Sequence, residues 1–262
     1  MFLNFADFMK ENKTTIMIIM MVLFFAGLVV LSFVYFFKSF KKKKRGEKIR
    51  HMTSIAIFAT LSIIFYLTLK FSLPIFPSFL KINFSNLPIL LGGFLLGPVE
   101  GMIIILIRTV AVIPFSGTFY VGELADLIIS SAVLLISSII YVKHKTRKGA
   151  LVSLAFAALT WIVVGCVANY LILVPAYITL FFGGNVNVFV SMLEMIPGVN
   201  ESNYNIRYVL FGALPFNAVL SVGVSIITYL VYKRMSNLFH LFDKKIYKEE
   251  LENEEDDVKK VA

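Results

Sequence analysis

The chain is 262 residues long, 58% hydrophobic and 16% charged, with a mean hydropathy of +0.84. That balance excludes a soluble domain of this size and makes the bilayer its solvent. Its single cysteine, Cys166, excludes a disulfide framework or a thiolate metal site within one chain, and the net charge of +9 sits mostly beside apolar runs, which argues for membrane topology and against nucleic-acid binding.

Crossing a bilayer takes roughly 20 apolar residues. The first such run, Thr15 to Phe37, predicts a separate span, and the basic stretch KSFKKKKRGEKIR that follows it reads as a stop-transfer anchor. Its positive charges follow the apolar run and no A-x-A-like site appears, so it is expected to be retained rather than cleaved. Six further runs follow, at Met52 to Leu69, Ser85 to Leu96, Val99 to Ile113, Tyr120 to Val142, Ala150 to Leu180 and Ile206 to Tyr232. The second and third are short and are expected to reverse at Gly97-Pro98, because the residue before a proline is pushed away from helix. The last residues, KEELENEEDDVKK, read as a solvated charged tail.

These elements predict an all-α integral membrane protein with six clustered helices and one extra N-terminal span. Its divisions are an anchor and basic linker (1–50), a six-helix domain (51–235) and a charged tail (236–262). Seventeen lysines and arginines fall in the segments around Lys41, Lys145 and Lys244, against five on the other side. The positive-inside rule puts those basic segments and the C-terminus in the cytoplasm and the N-terminus outside. No internal repeat is evident, which weighs against transporters built from duplicated halves.

Polar groups then stand out against this background. FSGTFYVGELADLIISSAVLLISSIIYV carries Glu123 and Asp126 three residues apart, on one face of a helix where ionised groups are costly. Arg108 enters the neighbouring span from the other direction to a similar depth, so pairing with Asp126 would lower the cost of both. Asn169 and Tyr170 precede Pro175 in the next span. Asn217 lies about eleven residues, roughly 16 Å, below the outer end of the last, with Ser221 one turn further. One such group is commonly an interhelical hydrogen bond; convergence from four helices predicts a shared, outward-facing cavity. Glu123, near the outer end, is expected to stay hydrated until a ligand arrives, and Asn217 to present an unpaired amide at greater depth.

The ordered set LKINFSNLPILLGGFLLGPVEG, GTFYVGELADLI, KTRKGAL, ANYLILVPAY and LFGALPFNAVLSVGVSIITYLVYKR resembles the riboflavin-binding S components of energy-coupling factor (ECF) transporters over Met52 to Arg234. The resemblance implies six membrane helices and a vitamin pocket open to the outside, capped by the loop after the first helix. It also implies a membrane coupling protein (T component) and two cytoplasmic ATPases as partners, with riboflavin as transported ligand and no cofactor. The chain has no G-x-x-x-x-G-K-[ST] motif, so ATP-derived energy must come from a partner. In such a pocket Asn169 and Asn217 would suit the uracil-like ring edge, Glu123 the ribityl hydroxyls, and Phe76, Leu80 and Phe84 the cap over the plate. Ala56 and Thr60, four apart, would form the small-residue face that a coupling partner approaches. The chain departs from the family pattern at Asn86 and Asp126, where Asp and Asn are expected, at Arg108-Thr109 in place of Lys-Asn, and at Leu220 in place of Lys.

Those departures leave an S component for another vitamin, folate or biotin-like, as the nearest competing reading. An ion-coupled secondary transporter using Glu123 and Asp126 is a more distant one. An enzyme is not expected, since His51, His144 and His240 all lie in basic flanks, away from membrane depth and from any catalytic or metal-binding set.

Overall fold

The computed structural model describes residues 45–235 and, before them, Gly27, Val30 and Val34 alone. The expected first span and the charged tail therefore lie outside the described residues, apart from those three positions. Among the described residues, five helices are long and apolar enough to cross a membrane. They are α1 (Arg45–Thr68), α3 (Pro98–Val112, prolonged by a 3-10 turn at Ile113–Phe115), α4 (Val121–Lys143), α5 (Arg147–Phe182) and α7 (Tyr204–Met235). A sixth apolar helix, α2 (Asn86–Leu95), has only 10 residues, about 15 Å of rise, and nearly all of it is buried inside the bundle. It runs half-way down and reverses into α3 at Gly97, whose φ of 125° suits glycine, with Pro98 opening the new helix.

Neighbours in sequence are neighbours in space. Helix α1 packs on α2 and α3, α4 on α3 and α5, and α2 fills the space between α1, α3 and α4. Between α1 and α2 the chain forms a small antiparallel hairpin, β1 (Phe71–Ser72) with β2 (Lys81–Ile82), whose loop folds back over the bundle. The short helix α6 (Val186–Ser191) lies on the same end.

Pro175 and Pro215 lie inside the last two long helices and do not break them, as the continuous apolar runs imply. Each is preceded by a widened π-turn, Asn169–Leu173 before Pro175 and Val209–Ala213 before Pro215. A proline ring clashes with the carbonyl four residues back and supplies no N–H, and a wider turn relieves both defects locally. The carbonyl of Tyr170, which loses its partner at Pro175, accepts a bond from Asn205 Nδ2 of α7 at 3.3 Å.

The end of the bundle away from the hairpin is closed by aromatic rings. Phe94 stacks on Tyr141 at 4.6 Å and meets Tyr232 edge-on at 5.8 Å, and the two tyrosine hydroxyls bond to each other.

Candidate binding cavity

Under the hairpin lies a cavity of about 630 Å³, lined by α1, α4, α5, α6, α7 and the hairpin loop. Phe79 forms its roof, 5.6 Å from Tyr208, 5.8 Å from Phe189 and 6.2 Å from Tyr177, centroid to centroid. Trp161, buried in the middle of α5, and Phe216 and Leu220 of α7 form the deeper wall. Aromatic and aliphatic surface dominates, with a few polar groups at defined places, as in small-molecule sites generally.

The two carboxylates of α4 differ in their surroundings. Glu123, in the first turn of the helix where the N-terminal dipole favours an anion, is 4% exposed. It accepts hydroxyl hydrogen bonds from Tyr66 (3.1 Å), Ser116 (2.7 Å) and Thr118 (2.8 Å). The same Ser116 and Thr118 oxygens accept backbone N–H groups of Tyr120 and Gly122, so the loop and the helix start are tied to one carboxylate. The expectation that Glu123 stays hydrated is thus corrected: three protein hydroxyls occupy the positions assigned to water. Asp126, one turn on, bonds through Oδ2 to Arg108, and its Oδ1 takes no hydrogen bond among the described residues. Arg108 donates also to Ser130 at 3.1 Å and lies 5.6 Å from the Tyr66 ring.

The two asparagines repeat one arrangement. Asn169 Nδ2 donates to the Gly165 carbonyl at 2.8 Å, and Asn217 Nδ2 to the Ala213 carbonyl at 2.7 Å, each four residues back in its own helix. Asn169 Oδ1 accepts the Tyr208 hydroxyl at 2.7 Å. Asn217 Oδ1 is left without a protein partner among the described residues. The deeper amide is therefore only partly satisfied: its acceptor Oδ1 and the second hydrogen of its Nδ2 have no protein partner among the described residues.

Of the residues singled out from sequence, Asn169, Asn217, Glu123, Asp126, Leu80 and Leu220 line this cavity. The others do not. Arg108 is 1% exposed and sits behind the wall, reaching the cavity only through Asp126. Phe76 packs edge-on against Phe216 at 5.4 Å, beneath the roof rather than in it, and Phe84 packs against the core. Asn86 is buried at the start of α2, Ser221 bonds to the Ala218 carbonyl of its own helix at 3.2 Å, and Tyr170 is exposed on the outer face of α5. Ala56 and Thr60 are exposed on α1, away from the cavity.

Sequence reasoning missed Tyr66, Phe79, Trp161, Tyr177, Phe189 and Tyr208, all of which line the cavity. The lone tryptophan in mid-span was a usable signal for one of them. It also missed Lys70 and Lys81, which line the mouth from the hairpin's two ends and had counted only as outer-side charges. Lys70 Nζ lies 4.6 Å from the Tyr66 ring, and burial pushes its pKa down.

Residues 50–232 match the model of the family described as "ECF transporter, substrate-specific component". The chain belongs to that family. It is 28% identical over 198 residues to the riboflavin transporter RibU of Staphylococcus aureus (strain TCH60), covering 75% of this chain and 96% of the relative. It is 24% identical over 191 residues to the riboflavin transporter FmnP of Bacillus subtilis (strain 168), with 72% and 93% covered. A solved structure, described as "Structure and mechanism of the S component of a bacterial ECF transporter", superposes with a TM-score of 0.55 at 25% identity, over 73% of this chain and 98% of that one. As an ECF S component the chain is a multi-pass membrane transport protein and not an enzyme, and its family associates with ECF transporter modules.

Proposed function

We propose that this S component captures riboflavin from outside the cell and delivers it for import. The observation that carries the reading is the pairing of a 630 Å³ aromatic cavity with two unpartnered acceptor oxygens, Asn217 Oδ1 at the deep wall and Asp126 Oδ1 at the α4 wall. An isoalloxazine ring is a broad plate that stacks on aromatic surface and carries a single N–H on its uracil-like edge, which matches one amide oxygen. The ribityl chain ends in hydroxyls, which match a carboxylate oxygen. On this reading Asp126, not Glu123, takes the ribityl hydroxyls, because Glu123 already accepts three protein hydroxyls while Asp126 Oδ1 accepts none among the described residues. The riboflavin-transporter names of both curated relatives support the same ligand.

The energy source in this reading is a T component and two cytoplasmic ATPases. They would reach the six-helix domain (51–235) along the exposed Ala56 and Thr60 of α1, with the basic linker, Lys143 to Lys148 and the tail (236–262) in the cytoplasm and the N-terminal anchor (1–50) starting outside. Titration of the purified protein with riboflavin, followed by quenching of flavin fluorescence, tests it. Asn217→Ala is expected to weaken binding about tenfold or more, the cost of removing a buried hydrogen-bond partner. No quenching by the parent protein, or equal affinity in Asn217→Ala, would remove the flavin assignment.

A further inference from the structure

We infer that Gly165 of α5 is a positioning residue for the polar floor of the cavity, orienting both asparagines at once; the inference rests on the riboflavin reading above. Gly165 is buried, and its carbonyl accepts the Asn169 Nδ2 bond at 2.8 Å. A Cβ on Gly165 would lie 2.7 Å from Asn217 Oδ1, 2.8 Å from its Cγ and 3.0 Å from its Nδ2. Were the glycine there to let two helices approach, a Cβ would meet backbone or an apolar side chain of α7. Here the three nearest atoms all belong to the Asn217 amide.

That amide has little freedom to move aside. It is short, and its Nδ2 is anchored to the Ala213 carbonyl at 2.7 Å. A methyl at position 165 forces it to give up that bond or to rotate, and either movement takes Oδ1 away from the place where a ring N–H would meet it. Asn169 is coupled to the same residue through the carbonyl, which a shifted helix backbone would carry with it. Gly165 therefore acts on ligand through the two amides and touches none itself.

The test is a binding cycle on the full-length protein in detergent, using riboflavin and N3-methylriboflavin, which lacks the ring N–H. The parent is expected to favour riboflavin about tenfold or more over the N3-methyl compound. Gly165→Ala should lose riboflavin affinity by a similar factor and lose the preference, and adding Asn217→Ala to it should cause no further loss. If Gly165→Ala folds poorly, Gly165→Ala with Asn217→Gly, which removes the clash, should restore the folded yield; failure to do so overturns the inference. Riboflavin affinity and preference unchanged in Gly165→Ala, or losses that simply add with Asn217→Ala, also overturn it while leaving the flavin reading intact. A parent that binds riboflavin but does not prefer it to the N3-methyl compound overturns the inference too. A parent that binds neither compound removes the flavin reading, and the inference with it.

Discussion

At the scale of single residues, Glu123 and Asp126 stand one turn apart on α4 and do different work. Asp126 neutralises Arg108, a guanidinium 1% exposed. Removing one partner of a buried ion pair typically costs about 3–5 kcal/mol because the other charge is stranded. Asp126→Asn should therefore lower the thermal midpoint in detergent and weaken riboflavin binding, and adding Arg108→Gln should recover part of the midpoint; strictly additive midpoints would count against the pair. Glu123→Gln, in contrast, keeps an acceptor for only some of the hydroxyls of Tyr66, Ser116 and Thr118. Its expected signature is faster hydrogen exchange over residues 116–120, with riboflavin affinity changed by only about threefold, well under the cost of a lost buried partner. A loss as large as that of Asn217→Ala would return Glu123 to direct ligand contact. The Arg108–Asp126 pair was legible from helix rise and sequence position alone. The occupancy of Glu123 was not, because Tyr66 lies 57 residues away and meets it only through the packing of α1 on the rest of the bundle.

At the scale of elements, the apolar runs located every described membrane helix, and Gly97-Pro98 located the reversal between α2 and α3. Pro175 and Pro215, in contrast, sit inside continuous spans, and the reason is physical. A proline is a local breaker by its covalent chemistry, but whether the helix stops or widens depends on what can pick up the freed carbonyl, here Asn205 from the neighbouring helix for Tyr170. The hairpin escaped notice because its strands are two residues each, too short to show alternation. Phe79 hangs from that hairpin and stacks on rings from α5, α6 and α7, so Phe79→Ala should weaken riboflavin binding chiefly by speeding its release, a result that stopped-flow fluorescence would separate from slowed association. On α1 the exposed Ala56 and Thr60 face away from the cavity. Ala56→Leu or Thr60→Leu should impair uptake in cells that supply the ATPases while riboflavin affinity of the purified protein stays unchanged; normal uptake in both would move the coupling face elsewhere.

At the scale of the whole molecule, the basic asymmetry and the helix order make one topological demand. With Cys166 replaced, cysteines at Lys145 and Asn200 should react with an impermeant thiol reagent from opposite sides of intact cells. Labelling of both from outside would sink the orientation. The aromatic closure formed by Phe94, Tyr141 and Tyr232 lies twelve residues beyond Ile129 on α4 and beyond Leu220 on α7, about 18 Å below the deepest lining of the cavity. The cavity is in this sense a vessel with one mouth, and filling and emptying share a single route. For a ligand held at nanomolar affinity and captured at about 10⁷ M⁻¹s⁻¹, the unaided residence time is on the order of 100 seconds. Tight capture by this bundle is thus also slow surrender, and any faster turnover must come from a partner that deforms the mouth, drawing on energy the vessel itself does not hold.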